Sequence, residues 1–279
     1  HVVICCLLPL YLLFSLGARR PLLAGMMLAL CLATRPSAAF AAPFFLVEAL
    51  GAARRDGAPP LAEGAHPLLR VFEWLSSVRW ARALRSLLLF SLPVLVVAGL
   101  LMWMNQVRFD DPFEFGHTHL QIKWRGRIRT WGLINYHYLA RNLAIFLAAL
   151  PWLTSTAPFV KIGGHGLALW FTTPNLLFTL WPKRISSTLV GLYLSVACVA
   201  LLDLCYQNTG WIQFGYRFAL DYLALLFALL ALGGRRFGPG FYLLMLFAMA
   251  VNLFGAVTFD RVPEFYHHDL TQRTYFQPD

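Results

Sequence analysis

Apolar runs separated by short basic segments dominate the chain. A helix needs roughly 20 apolar residues to cross the hydrocarbon core of a bilayer. The best candidates share this length and composition and lie at 86–104, 187–206, 218–232 and 240–258. The run 2–16 is typical of the end of a further helix. The shorter run 167–181 is interrupted at Pro174, which predicts a kinked or re-entrant segment.

The run 21–50 allows two interpretations, one long helix or two short helices broken at Arg35-Pro36. Basic residues flank it at Arg19-Arg20 and Arg54-Arg55, and cytoplasmic loops carry an excess of Lys and Arg. A single crossing would put the two basic groups on opposite sides of the membrane. Two short helices put both groups inside and turn Arg35 outward, so we favour the hairpin.

Continuing this alternation makes 51–85 a cytoplasmic connector, whose amphipathic part 68–84 can lie on the inner surface. It makes 105–166 an extracytoplasmic segment with an interfacial helix at 135–150. We therefore predict an all-α, polytopic membrane bundle with interfacial helices in the outer loop. One conflict remains, because the outer segment is itself basic and orientation rules place basic loops inside.

The composition agrees with this fold class. Hydrophobic residues make up 59% of the chain and charged residues only 13%, unlike ordinary soluble domains. The net charge is +10, but the basic residues lie between apolar runs, which favours lipid headgroups over nucleic acid as their partners. The chain begins at His1 without an initiator methionine, and we interpret residues 1–279 as the C-terminal part of a longer, multi-pass bacterial membrane protein with a single transmembrane domain.

Segment 105–119 concentrates ionisable groups just beyond a predicted helix end. It carries Arg108, the carboxylates Asp110, Asp111 and Glu114, and the pair His117 and His119. Paired carboxylates can exchange protons or hold a divalent cation, and the alternative is a solvated loop whose acids neutralise nearby arginines. We assign no metal site and expect no cofactor.

The run 123–129 alternates four cations with other residues. On an extended segment Lys123, Arg125, Arg127 and Arg129 would share one face. Guanidinium groups bind phosphate oxygens bidentately, so this face is a candidate cradle for a lipid phosphate. Non-specific contact with anionic headgroups explains the run equally well.

Two further arginines lie at the ends of apolar segments. In Trp211–Tyr222, Arg217 and Asp221 are four residues apart and on a helix could form an ion pair. Alternatively, Arg217 meets an anionic substrate. Arg35 at the predicted break could reach a lipid phosphate from the outer side or extend to the surface as a topological anchor.

In three segments the chain resembles the GT-C superfamily of polytopic glycosyltransferases, which includes protein mannosyltransferases and aminoarabinose transferases. The first similar piece is Leu32-Ala-Thr-Arg35-Pro36 with Ala42-Pro43-Phe44-Phe45. The second is 105–116, with Arg108-Phe109 and Pro112-Phe-Glu114-Phe-Gly116, although Asp110-Asp111 stands where Gly-Ser is usual. The third is the aromatic element Trp211–Tyr222 before a late helix.

The resemblance implies an enzyme that moves a sugar from a polyprenyl-phosphate donor to a glycan, lipid or protein acceptor at the extracytoplasmic face. In that family the catalytic acid lies in an early outer loop, so no catalytic residue is assigned here and we expect the fragment to be inactive. The candidate substrate-binding residues are Arg35, Arg108, Glu114, Lys123, Arg125, Arg217 and Asp221. A transporter or flippase is the main alternative, and an O-antigen ligase or polymerase type of enzyme is another.

Overall fold

The computed structural model describes residues 1–55, 67–121 and 125–267. Within these ranges the chain is mostly helical, as predicted. The α-helices, in chain order, are α1 Val2–Ser15, α2 Pro21–Thr34, α3 Pro43–Ala52, α4 Pro67–Ser76, α5 Trp80–Phe109, α6 Arg125–Trp131, α7 Leu139–Ala148, α8 Leu169–Thr172, α9 Ser187–Leu204, α10 Leu223–Leu232 and α11 Pro239–Thr258.

Three of the described helices, α5, α9 and α11, are long and apolar enough to cross a membrane. The 30 residues of α5 make it about 45 Å long, so it exceeds the roughly 30 Å hydrocarbon core at both ends. Its apolar middle matches the predicted run 86–104. Large side chains such as Leu95 and Trp103 on this helix are more than half exposed, which fits a lipid-facing surface.

A small sheet joins the predicted outer segment to residues that follow α11. Strand β1, Trp152–Leu153, pairs antiparallel with β2, Val160–Gly163, and β2 pairs in parallel with β3, Tyr266–His267. These strands are too short to change the fold class. The segment also contains α7, which confirms a helix within 135–150.

Contacts divide the chain into two compact units. Unit 1 consists of 1–113, 185–199 and 221–232, and unit 2 consists of 114–184, 200–220 and 233–279. Unit 1 contains α1 to α5 and α10, and unit 2 contains α6 to α8 and α11.

Run 21–50 of unit 1 contains two helices, as the hairpin interpretation requires. Helix α2 ends at Thr34, a 3-10 segment spans Pro36–Ala41, and α3 begins at Pro43. Arg35 is extended, with φ −150° and ψ 106°, because proline disfavours the helical conformation in the residue before it. The interpretation as one long helix is wrong.

Hydrogen bonds show which helix ends of unit 1 lie together. Glu48 near the end of α3 accepts a bond from the backbone of Gly17, just after α1, at 2.7 Å. At the other end, Arg35 after α2 contacts Asp221 before α10. The basic pairs Arg19-Arg20 and Arg54-Arg55 therefore share one end of unit 1, which we call the basic end, and Arg35 lies at the other.

Buried polar groups stabilise the break between α2 and α3. The hydroxyl of Tyr11 donates to the carbonyl of Ala41 at 2.8 Å and accepts from the amide of Phe45 at 3.1 Å. The hydroxyl of Ser195 does the same for Ala41 and Phe44, at 2.8 Å each. These bonds satisfy backbone groups that a broken helix leaves without partners inside an apolar core.

Two predicted segments differ from the observed ones. The run 218–232 is not one spanning helix, because a 3-10 segment Arg217–Asp221 precedes the ten residues of α10. The amphipathic run 68–84 is divided between α4 and the start of α5. The run 167–181 is interrupted at Pro174 as predicted, with α8 before it and a 3-10 segment Pro174–Leu180 after it.

Gly25 of α2 lies directly against α5, and a methyl group there would collide with the carbonyl of Phe90 and approach Pro93 Cγ at 2.8 Å. We expect Gly25→Ala to lower the free energy of unfolding by about 1–3 kcal/mol through overpacking. Thermal unfolding in detergent micelles measures the effect. Gly99 of α5 is the matched control, since a Cβ there meets nothing within 4 Å. Equal stability of Gly25→Ala and Gly99→Ala would contradict this packing.

Candidate functional site

A buried carboxylate and an arginine meet at the end of unit 1 opposite the basic end. Arg35 Nε lies 2.6 Å from Asp221 Oδ1 and 2.7 Å from Oδ2. Ser37 Oγ donates to Asp221 Oδ2 at 2.5 Å. Asp221 is fully buried, whereas the Arg35 side chain is 25% exposed. Both residues are candidates predicted from the sequence, but their pairing with each other was not predicted.

The local structure explains this pairing. Pro36 ends α2 and leaves Arg35 at the tip of the helix, and the 3-10 segment Arg217–Asp221 places Asp221 just before α10. In a 3-10 helix of three residues per turn, positions i and i+4 point about 120° apart. The segment is therefore not the α-helix on which the expected pairing of Arg217 with Asp221 was based.

In unit 2, one buried glutamine organises the aromatic loop before Arg217. Gln213 Nε2 donates to the carbonyls of His165 at 2.7 Å and Thr209 at 2.9 Å. Its Oε1 accepts from the backbone amide of Arg217 at 3.1 Å. Gly210 has φ +98°, and a Cβ there would collide with the Gln213 amide. Gln213 thus fixes where Arg217 leaves the loop, a role that sequence reasoning missed.

Arg217 itself is partly exposed. Its Cζ lies 5.7 Å from the centre of the Phe218 ring, within the range of a cation–π contact. Its backbone is held by Gln213, so the position of the residue is fixed independently of any ligand.

His165 belongs to the same network. Its Nδ1 lies 2.7 Å from Thr209 Oγ1, and its ring meets Trp211 edge to face at 4.6 Å. Burial, with a smaller contribution from the charge of Arg141, lowers the pKa of His165 to about 4. The imidazole is therefore neutral at physiological pH.

The basic run 123–129 does not form the predicted extended face. Lys123 lies outside the described residues, and Arg125, Arg127 and Arg129 lie on α6. In a helix of 3.6 residues per turn, Arg127 points away from Arg125 and Arg129. Arg127 is buried, whereas Arg129 is exposed and Arg125 is partly exposed. The shared cationic face is wrong for these three arginines.

Two arginines and an asparagine of unit 2 donate to backbone carbonyls at the C-terminus of α9 and in the three residues after it. Arg141 and Arg127 both donate to the carbonyl of Gln207, at 2.7 Å and 3.4 Å. Asn142 Nδ2 donates to the carbonyls of Leu204 at 2.8 Å and Tyr206 at 2.7 Å. Leu204 ends α9, so its carbonyl lacks a partner within the helix and Asn142 supplies one, whereas the two guanidinium groups bind a carbonyl of the loop beyond the helix. Part of the outer positive charge therefore has a structural role.

Arg108 and Glu114 make local contacts. Arg108 is exposed near the end of α5, with its Cζ 5.2 Å from the Phe109 ring centre. After it, Asp110 adopts φ 57°, a left-handed conformation that favours glycine. Glu114 accepts hydrogen bonds from the hydroxyl and amide of Thr118, at 2.8 Å and 3.3 Å. Although burial acts in the opposite direction, these bonds lower the pKa of Glu114.

Of the seven candidate residues, the structure brings Arg35 and Asp221 into contact. In the part of the chain that the structure describes, no three His, Cys, Asp or Glu side chains are grouped to hold a metal ion. The arrangement offers guanidinium groups, which can bind anions, and the Asp221 carboxylate, which is held by Arg35 and Ser37 and lies 3.4 Å from His1 Nδ1.

Comparison with known proteins finds no matching family model, no similar curated protein and no similar solved structure.

We expect Asp221→Ala to lower the free energy of unfolding by about 3 kcal/mol, because it leaves Arg35 without its carboxylate partner at a mostly buried site. The double variant Arg35→Gln, Asp221→Asn should lose less than the sum of its single variants, since it leaves no uncompensated charge. Thermal unfolding of the four proteins in one detergent measures the coupling. Arg20→Gln, an exposed cation at the basic end, is the control. Additive losses would show that the pair does not act as a unit.

The lowered pKa of His165 predicts a pH effect on stability. The unfolded chain binds a proton at this residue near pH 6.5, whereas the folded protein resists protonation until about pH 4. Neutral His165 therefore makes its full contribution to the free energy of unfolding above about pH 6.5, and this contribution decreases as the pH falls toward 4. Unfolding temperatures measured across this range should decrease less in His165→Asn, which keeps a hydrogen-bonding group near Thr209. An identical decrease in both proteins would assign it to other groups.

Proposed function

We propose that this chain is part of a multi-pass membrane glycosyltransferase that uses a polyprenyl-phosphate sugar at the extracytoplasmic face. The main support is that two segments resembling the GT-C superfamily, which are 186 residues apart, meet in the Arg35–Asp221 pair. Three described helices suited to crossing a membrane agree with a lipid-linked donor.

The sidedness of unit 1 supports the same proposal. Arg19, Arg20, Arg54 and Arg55 lie at the basic end, which the positive-inside rule places in the cytoplasm of a bacterial cell. Arg35 and Asp221 then lie at the extracytoplasmic end. This is the face at which a polyprenyl-phosphate sugar is offered to a glycan, lipid or protein acceptor.

Transfer of a sugar from a polyprenyl phosphate requires cations that stabilise the departing phosphate. An acceptor oxygen or nitrogen attacks the anomeric carbon, the bond from that carbon to the phosphate oxygen breaks, and polyprenyl phosphate leaves with the bonding electrons. Guanidinium groups near the phosphate stabilise the charge that develops on it. We assign this binding to Arg125 and Arg217 of unit 2, and Arg108 of unit 1 is a separate candidate contact for an anionic group. Lys123 lies near Arg125 in the sequence and Glu114 lies near Arg108. Arg35 and Asp221 organise the end of the bundle, and no residue of the chain is assigned as the catalytic base.

A transporter or flippase is the second candidate, because Asp203 and Asp221 are buried carboxylates next to apolar segments. Transporters use such groups to bind coupling ions. Asp221 is, however, held by Arg35 and Ser37, so we favour the transferase. In membranes from the native cell, release of polyprenyl phosphate from a labelled donor would support transfer. Movement of the intact donor across the bilayer without release would support the flippase.

The binding step can be tested on this chain in lipid nanodiscs. We expect polyprenyl phosphate to bind more tightly than the polyprenol of equal length, which lacks the phosphate. Arg125→Ala and Arg217→Ala should each weaken binding of the phosphate about threefold to tenfold, the effect of losing one solvent-exposed hydrogen bond. Arg19→Ala, at the basic end, should leave binding unchanged. Equal affinities for the phosphate and the alcohol, or an equal effect of Arg19→Ala, would contradict the proposal.

A further inference from the structure

A cleft of about 240 Å³ lies at the basic end of unit 1, remote from the Arg35–Asp221 pair. It is formed by the turn after α1, the end of α3, a side chain of α4 and the beginning of α9. Its lining includes the side chains of Glu48, Arg54, Trp74, Ser187 and Thr188 and residue Gly17. Ser187 is exposed, so the cleft is open on that side.

Glu48 is the most deeply buried charged group of this cleft, with 8% of its surface exposed. Its Oε2 accepts from the Gly17 amide and its Oε1 from Thr188 Oγ1, both at 2.7 Å. No cation of the described ranges lies within ion-pair distance of it. The two hydrogen bonds fix the carboxylate in place but leave its negative charge without a counter-ion among the described side chains, which is costly at a buried site.

Arg54 supplies a charge of the opposite sign in the same cleft. Its Nε donates to Ser77 Oγ at 2.9 Å, which fixes the side chain. Arg54 has no carboxylate partner among the residues that the structure describes. The cleft therefore presents a separated negative and positive charge, with the indole of Trp74 also in its wall.

We propose that this cleft binds the headgroup of a zwitterionic aminophospholipid, of the phosphoethanolamine type, from the leaflet at the basic end. Such a headgroup carries an ammonium and a phosphate a few bonds apart. The ammonium binds the Glu48 carboxylate, and the phosphate binds the Arg54 guanidinium and the Ser187 hydroxyl at the start of α9. An indole face attracts cations, so Trp74 adds to the ammonium site. The inference does not depend on the proposed transferase function.

The charges of the cleft select against other headgroups. A purely anionic headgroup gains from Arg54 but meets the negative charge of Glu48. A phosphocholine headgroup has the right charges, but its trimethylammonium has no N–H to donate to the carboxylate. The cleft lies at the ends of α1 and α3 beside the arginines of the basic end, where headgroups of a surrounding bilayer would lie.

Lipid retention measures this preference. The chain is placed in nanodiscs that contain equal amounts of phosphatidylethanolamine, phosphatidylglycerol and phosphatidylcholine and is then extracted into detergent. The lipids that remain bound are counted by native mass spectrometry. We expect one phosphatidylethanolamine to be retained at least about fivefold above the other two, the gain from one additional charged hydrogen bond. Retention in proportion to the mixture, or preference for the anionic lipid, would overturn the proposal.

Variants then locate the bound lipid. Glu48→Gln should remove the preference for phosphatidylethanolamine over phosphatidylcholine, because the carboxylate that accepts from the ammonium is gone. Arg54→Gln should lower retention of both lipids and leaves the interior bonds of Glu48 intact, so it remains informative if Glu48→Gln fails to fold. Arg55→Gln is the matched control, since Arg55 is the exposed neighbour outside the cleft. An effect of Arg55→Gln equal to that of Arg54→Gln would show surface attraction instead of a site.

Discussion

The buried carboxylate of Asp221 is the constraint on which the organisation of unit 1 depends. An ionised group without a partner cannot remain in an apolar bundle at acceptable cost, so the fold must bring a cation to it. Arg35 can serve because Pro36 ends α2 and leaves the arginine at the tip of a helix, with Ser37 as a second donor. Joining these residues fixes the end of α2 beside the start of α10.

This constraint gives unit 1 two chemically different ends. One end holds a neutralised pair, while the other collects Arg19, Arg20, Arg54 and Arg55 together with the cleft around Glu48. Charges of one sign at one end of a bundle orient it in a bilayer and attract headgroups. The basic groups and the buried ion pair therefore lie at opposite ends of unit 1.

Apolar runs and prolines in the sequence predicted the long helices and one helix break, because these features depend on neighbouring residues of the chain. The apolar runs of α5, α9 and α11 were long enough to be recognised, and Pro36 marked the break after Arg35. The partner of Asp221 could not be predicted, because it lies 186 residues away and a nearer cation, Arg217, matched the helical spacing. Gln213, His165 and Thr209 were missed for a similar reason, since their hydrogen bonds join separate loops and follow no periodic pattern. The extended face expected at 123–129 is wrong for Arg125, Arg127 and Arg129, because charges at every second position occur in helices as well as in extended segments.

The arginines of unit 2 show why positive charge alone does not define a phosphate site. A backbone carbonyl that lacks another donor attracts a guanidinium group through its partial negative charge, and a phosphate attracts the same group through its full charge. Arg127 and Arg141 are used in this way at Gln207, so they are poorly placed to bind a ligand without first giving up those bonds. Arg125 and Arg129 lie on the other side of α6 and do not have this role. A phosphate that approaches this region therefore meets the exposed side of α6. The face of α6 on which an arginine lies decides whether that arginine binds the protein's own backbone or is accessible to a ligand.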